Sequence, residues 1–95
     1  MENQHRKIKG YRELTEEEIA LMNMIKSEGE DLRQMLQTVQ SHLDDQLNHA
    51  KSINGGDALD RIREAQPPRW LAIARTHFQE GLMAATRAVA QPESF

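Results

Sequence analysis

Tyr11 is flanked by basic side chains near the start of the chain, and this combination can bind a nucleotide. Residues 5 to 12 hold four basic side chains and no acidic one. The four are Arg6, Lys7, Lys9 and Arg12. An aromatic ring stacks on a nucleobase, and positive charge attracts the phosphates. The alternative is that Tyr11 only packs the arm against a helix, but the surrounding charge favours a nucleotide.

Lys26 is a second candidate for a phosphate contact. It is the only basic residue between Arg12 and Arg33. Its ammonium group can act as a point charge for a phosphate. The plainer interpretation is a surface lysine that keeps a helix soluble, and the sequence leaves both open.

Arg69, Arg75 and Thr76 form a third group of candidates. Arg69 falls at the start of a predicted helix, where its charge opposes the helix dipole and a bound anion would relieve the conflict. The alternatives for Arg69 are an ion pair with Glu64 and stacking on Trp70. Arg75 adjoins Thr76, and a guanidinium beside a hydroxyl group can hold a phosphate.

Metal binding and catalysis are not predicted. His42, Asp45 and His49 share one helical face and are suitable zinc ligands, but that face lies away from the apolar stripe and is interpreted as solvated. The chain has no glycine-rich phosphate loop, no G-x-S-x-G motif and no H-E-x-x-H motif. We therefore expect neither an enzyme nor a bound cofactor.

Composition narrows the class of protein. The chain has 95 residues, a formal net charge of -3 and no cysteine. This length allows one domain, and no apolar run is long enough for a membrane span. Disulfides and thiolate metal sites are excluded, and the charge argues against a protein that binds duplex nucleic acid.

Helix one is predicted over residues 15 to 51. Thr15 and Glu18 form a T-x-x-E capping box. Apolar residues then recur at spacings of three and four, which is typical of a helix. The glycines of the segment SINGGD, residues 52 to 57, are expected to end it.

Helix two is predicted over residues 67 to 90, because Pro67 suits the first turn of a helix. Asp57 is expected to cap a short helix that reaches about Ala65 within the connection, residues 52 to 66. With a basic arm at 1 to 14 and a tail at 91 to 95, the prediction is one all-α domain, a hairpin of two long antiparallel helices.

Self-association is predicted as well. A hairpin has one seam, and a chain this small seldom stabilises itself with one seam alone. Leu21, Met24 and Met35 lie beside the main apolar stripe of helix one. We therefore expect a homo-oligomer.

Two long segments carry a resemblance to a known family. They are HRKIKGYRELTEEEIALMNMIK, residues 5 to 26, and RWLAIARTHFQEGLMAATRAVAQP, residues 69 to 92. Both resemble signature blocks of the phage anti-CBASS and anti-Thoeris cyclic-nucleotide sponge family, a helical hairpin domain. The resemblance covers about half of the chain, and residues 31 to 66 are not distinctive.

The resemblance implies a homohexamer that binds host immune second messengers in the cytoplasm of the infected bacterium and does no chemistry on them. Tyr11 and Lys26 match the residues that hold cyclic dinucleotides such as 3′,3′-cGAMP, and Arg12, next to Tyr11, is expected in the same site. Arg69, Arg75 and Thr76 match a separate pocket for cyclic trinucleotides. Cyclic ADP-ribose isomers are further candidate ligands.

Two other functions remain open at this point. One is a coiled-coil interaction or regulatory phage protein whose basic arm contacts a protein or nucleic-acid partner. The other is an enzyme that degrades nucleotides. Binding followed by recovery of the intact ligand separates the sponge from both.

Overall fold

Three helices make up the part of the chain that the computed structural model describes, residues 13 to 93. They are α1 (Glu16–Ser52), α2 (Gly56–Ala65) and α3 (Pro67–Ala90). The predicted all-α class is confirmed. Tyr11 and Arg12 lie outside the described residues.

The capping box at the start of α1 is confirmed. The Thr15 backbone N–H donates to Glu18 Oε1 at 2.9 Å, and the Glu18 N–H donates to Thr15 Oγ1 at 3.1 Å. Three glutamates in the first turn complement the positive end of the helix dipole. These contacts satisfy backbone donors that have no partner inside the helix.

The residue that ends α1 is not one of the glycines that were predicted to end it. Asn54, with φ 53°, is the residue in the left-handed region there. Its N–H donates to Lys51 O at 3.2 Å, and the Gly55 N–H donates to Ala50 O at 3.0 Å. These two bonds form a Schellman motif, which asparagine can support because it tolerates the left-handed conformation better than most residues.

The start of α2 also corrects the prediction. Gly55 is the N-cap residue, with φ -82°, and Asp57 lies in the first turn instead. At the other end Gln66 adopts a left-handed conformation, φ 53° and ψ 54°, and its N–H donates to Ile62 O at 3.1 Å. Pro67 then opens α3, where its missing N–H costs no hydrogen bond.

The chain divides into two compact units. Among the described residues, unit 1 comprises residues 13–30 and 78–93, and unit 2 comprises Asp31–His77. Unit 1 brings the first part of α1 together with the last part of α3.

Few side chains are buried in the described residues. All of the buried ones are apolar: Leu14 and Ala90 in unit 1, and Leu36, Ala50, Ile62 and Leu71 in unit 2.

Large apolar side chains remain exposed. They are Leu21, Met24, Met35, Val39, Ile53, Trp70 and Met83. None of the three helices is both long enough and apolar enough to cross a membrane, as judged on the described residues.

Candidate functional site

A pocket of about 640 Å³ lies in unit 1, between the first part of α1 and the last part of α3. From α1 it is lined by Met22, Asn23, Ile25, Lys26 and Gly29. From α3 it is lined by Leu82, Met83, Ala84, Thr86 and Arg87. The volume falls in the range of about 300–1,000 Å³ that is usual for small-molecule sites.

The apolar part of this pocket depends on a glycine. A Cβ atom at Gly29 would lie 3.1 Å from Leu82 Cδ1, so the absence of a side chain lets Leu82 pack against α1. Leu82 and Gly29 both line the pocket. The close approach of the two helices therefore shapes its wall.

The polar part of the pocket has one cation from each helix. Lys26 lies on α1 and Arg87 on α3, each with a neutral polar side chain nearby, Asn23 and Thr86 respectively. Among the described residues, no hydrogen bond or ion pair involves the Lys26 ammonium group, which is exposed. An apolar wall with two cations suits a ligand that combines flat apolar rings with negative charge.

A second, smaller pocket of about 300 Å³ lies in unit 2. Its lining residues all belong to one face of α3: Arg69, Ala72, Ile73, Thr76 and His77. Arg69 and Thr76 both line this pocket. Arg75 does not line this pocket, because six residues of helix at roughly 100° each turn it away from Arg69.

Arg69 stacks on Trp70, which was one of the two structural alternatives for it. The guanidinium carbon Cζ lies 5.1 Å from the centre of the Trp70 ring. Such a cation–π contact at an exposed site contributes about 0.5–1 kcal/mol. The first turn of α3 contains no acidic residue. The stack holds the guanidinium beside the second pocket, which Arg69 also lines.

The sequence missed two basic side chains that line pockets. Arg87 lies on the wall of the first pocket and His77 on the wall of the second. Helical spacing is a signal for His77, because Arg69 was already a candidate, but not for Arg87, because Met83 was not. Arg87 follows Met83 by one turn, and His77 follows Arg69 by two turns, so each shares a face with another lining residue.

Metal ligands do not cluster in the described part of the chain. Within residues 13 to 93 no group of three or more histidine and acidic side chains is arranged to hold a metal ion. His42, Asp45 and His49 are all exposed.

Comparison with known proteins agrees with the geometry. A family model described as "Acb2/Tad1, hairpin domain" matches residues 3–90. Anti-CBASS protein 2 of Pseudomonas phage JBD67 is 40% identical over 106 aligned positions, which cover 98% of this chain and 98% of that protein. The match supports the predicted hairpin. The chain belongs to the Acb2/Tad1 hairpin-domain family, in agreement with the resemblance of its two end segments.

Proposed function

We propose that the protein is a phage anti-defence sponge, which binds host immune cyclic nucleotides and withholds them from CBASS or Thoeris effectors without cleaving them. The observation that carries this proposal is the pocket of unit 1, where Lys26 and Arg87 flank an apolar wall in a chain of this family. The relative from phage JBD67 is named an anti-CBASS protein, which supports the same role.

The chemistry of a cyclic dinucleotide fits this pocket. Such a ligand has two phosphates and two flat bases. Lys26 provides positive charge for a phosphate, and Met22, Ile25 and Met83 offer apolar contact to a base. In the proposal Tyr11 adds a stacking surface and Arg12 adds further charge; both belong to the arm that precedes the described residues.

Self-association would complete the site. A two-fold axis supplies each contact twice, which matches the approximate two-fold symmetry of a cyclic dinucleotide. The exposed apolar side chains, among them Leu21 and Met24, support an assembly because burying them removes apolar surface from water. We favour a hexamer with dihedral symmetry, since it contains both two-fold and three-fold axes.

A cyclic trinucleotide is the proposed ligand of the second pocket. Arg69 and Thr76 line it together and provide a guanidinium and a hydroxyl group for phosphate. Arg75 stays in the proposal as a residue implied by the family resemblance, although it does not line this pocket of the single chain. A three-fold axis would present three such sets to one ligand.

Sequestration requires a high affinity of the protein for the messenger. The protein must bind the messenger more tightly than the host effector does, and each tenfold advantage needs about 1.4 kcal/mol. Stacking contributes roughly 1–3 kcal/mol per base. Two stacked bases therefore contribute about 2–6 kcal/mol, and charge-assisted contacts to two phosphates in a preformed pocket must supply the rest of the roughly 12 kcal/mol that nanomolar binding requires. Because the ligand is not consumed, the protein must also be abundant in the cytoplasm of the infected cell.

The decisive experiment is calorimetric titration of the purified protein with 3′,3′-cGAMP, followed by denaturation and chromatography of the ligand. Tight binding and recovery of intact ligand support the sponge. Recovery of a cleaved product would instead show a nucleotide-degrading enzyme. An absence of binding to this ligand, to cyclic trinucleotides and to cyclic ADP-ribose isomers would leave the coiled-coil interaction or regulatory protein as the better explanation.

A further inference from the structure

Unit 1 is strongly acidic, and its positive charge is confined to one place. Its described residues, 13 to 30 and 78 to 93, contain eight acidic side chains. These are Glu13, Glu16, Glu17, Glu18, Glu28, Glu30, Glu80 and Glu93. The same residues contain two basic side chains, Lys26 and Arg87, and both line the pocket. An anion approaching this part of the unit therefore finds positive charge at the pocket wall.

The α3 wall of the pocket needs a cation if the ligand is an anion. This wall runs from Leu82 to Arg87, close to the end of α3 at Ala90. The last carbonyl groups of a helix carry partial negative charge, which repels a phosphate. Arg87 lies in the last turn, where its charge offsets that repulsion and is itself stabilised by the dipole.

From this placement we infer that Arg87 is a phosphate-binding residue of the unit 1 pocket, acting opposite Lys26. Lys26 and Arg87 come from different helices, so one ligand can meet a cation on each wall. The guanidinium presents a planar fork of donors that pairs two phosphate oxygens at once, whereas the lysine ammonium acts as a point charge. Thr86, beside Arg87, adds a hydroxyl donor to the same wall.

This assignment rests on the proposed function, because it takes the ligand to be a cyclic dinucleotide. It adds to that proposal a different role for the cation of each helix. Lys26 neutralises charge from α1, and Arg87 orients a phosphate from α3. Exchanging arginine and lysine should therefore change the affinity for the ligand more at residue 87 than at residue 26.

The test is calorimetric titration of 3′,3′-cGAMP into Arg87→Ala, Arg87→Lys and Arg87→Gln, with Arg63→Ala as the matched control. Arg63 is also an exposed arginine in the last turn of a helix, α2, and it lines neither pocket. Arg87→Ala should weaken binding by roughly 10- to 100-fold, equivalent to about 1.4–2.8 kcal/mol. Arg87→Lys should lose less than Arg87→Gln, and Arg63→Ala should bind like the unaltered protein.

Stability must be followed in parallel, because Arg87 has a further interaction within the chain. Circular dichroism melts of all four variants identify any loss that comes from unfolding. If Arg87→Ala does not fold, the comparison of Arg87→Lys with Arg87→Gln decides, since the two differ in charge. The affinity of Arg87→Gln should also depend less on salt than that of the unaltered protein, because one charge contact is gone.

The outcomes separate this assignment from the function on which it rests. Failure of the unaltered protein to bind 3′,3′-cGAMP would overturn the proposed dinucleotide site and Arg87 with it. Tight binding by the unaltered protein and by folded Arg87→Ala alike would overturn the role of Arg87 alone. Equal losses in folded Arg87→Lys and Arg87→Gln, with unchanged salt dependence, would also contradict a charge contact.

Discussion

Leu82 packs over Gly29, with its Cδ1 atom 3.1 Å from the place that a Cβ atom would occupy at residue 29. At Gly81, which precedes Leu82 on the same helix, a Cβ atom would meet no heavy atom within 4 Å. The two glycines therefore provide a matched pair, one required by close packing and one not.

Gly81→Ala should stabilise the protein by about 0.5–1 kcal/mol, because alanine favours the helix more than glycine does. Gly29→Ala gains the same helix propensity but must displace Leu82, so its free energy of unfolding should rise by less than that of Gly81→Ala or should fall. Urea titration followed by circular dichroism, at one fixed protein concentration, measures both. Equal stabilisation by the two substitutions would show that Leu82 moves aside freely.

Thr15→Ala should destabilise α1 by about 1 kcal/mol, since it removes the side-chain acceptor of the Glu18 N–H. Thr15→Ser keeps the hydroxyl group and should retain most of the stability. The same urea titration, at matched protein concentrations, compares them. A serine variant as unstable as the alanine variant would mean that the methyl group of Thr15, and not the capping hydrogen bond, stabilises this end of the helix.

Lys26→Ala should weaken the binding of 3′,3′-cGAMP by at least roughly tenfold while the melting temperature changes little, because the ammonium group is exposed. Lys51→Ala is the control, since Lys51 is also an exposed lysine of α1 and lines neither pocket. Calorimetry on both variants gives the comparison. Undiminished affinity in Lys26→Ala would remove Lys26 from the site.

Arg69→Ala and Thr76→Val should each weaken the binding of a cyclic trinucleotide, because both residues line the pocket of unit 2. Trp70 is the only tryptophan of the chain and contacts Arg69, so its fluorescence should report this binding directly. Binding of 3′,3′-cGAMP in unit 1 should leave that signal largely unchanged.

Arg75→Ala is the informative comparison for the same pocket. Arg75 does not line it, so a single-chain site predicts nearly unchanged trinucleotide affinity for this variant. A loss as large as that of Arg69→Ala would instead mean that Arg75 reaches the ligand from another subunit, which the resemblance to the family allows.

Much of the fold could be predicted from the sequence because its signals are local. The capping box of Thr15 and Glu18 and the three- and four-residue apolar spacing depend on neighbours within one or two turns. The errors were local as well. Asn54, and not a glycine, takes the left-handed conformation after α1, and Gly55 takes the N-cap position of α2 that was predicted for Asp57.

Only some residues of the candidate site could be predicted from the sequence. Tyr11, Arg12, Lys26, Arg69, Arg75 and Thr76 were candidates from residue type and position, and the resemblance assigned them to two ligand sites. Arg87 carried no such signal, since it is one arginine near the end of an alanine-rich helix. Its role emerges only when α3 is placed beside α1, 61 residues away in sequence from Lys26 to Arg87.

By itself, the sequence determined the helices, their approximate ends and the family, because these depend on local propensity and on residue identity. The tertiary structure decided which side chains share a pocket. Gly29 allows Leu82 to approach, and the pairing of the two helices brings Lys26 and Arg87 to one cavity. The physical reason is that a pocket depends on contacts between distant segments, which the periodicity of one helix does not specify.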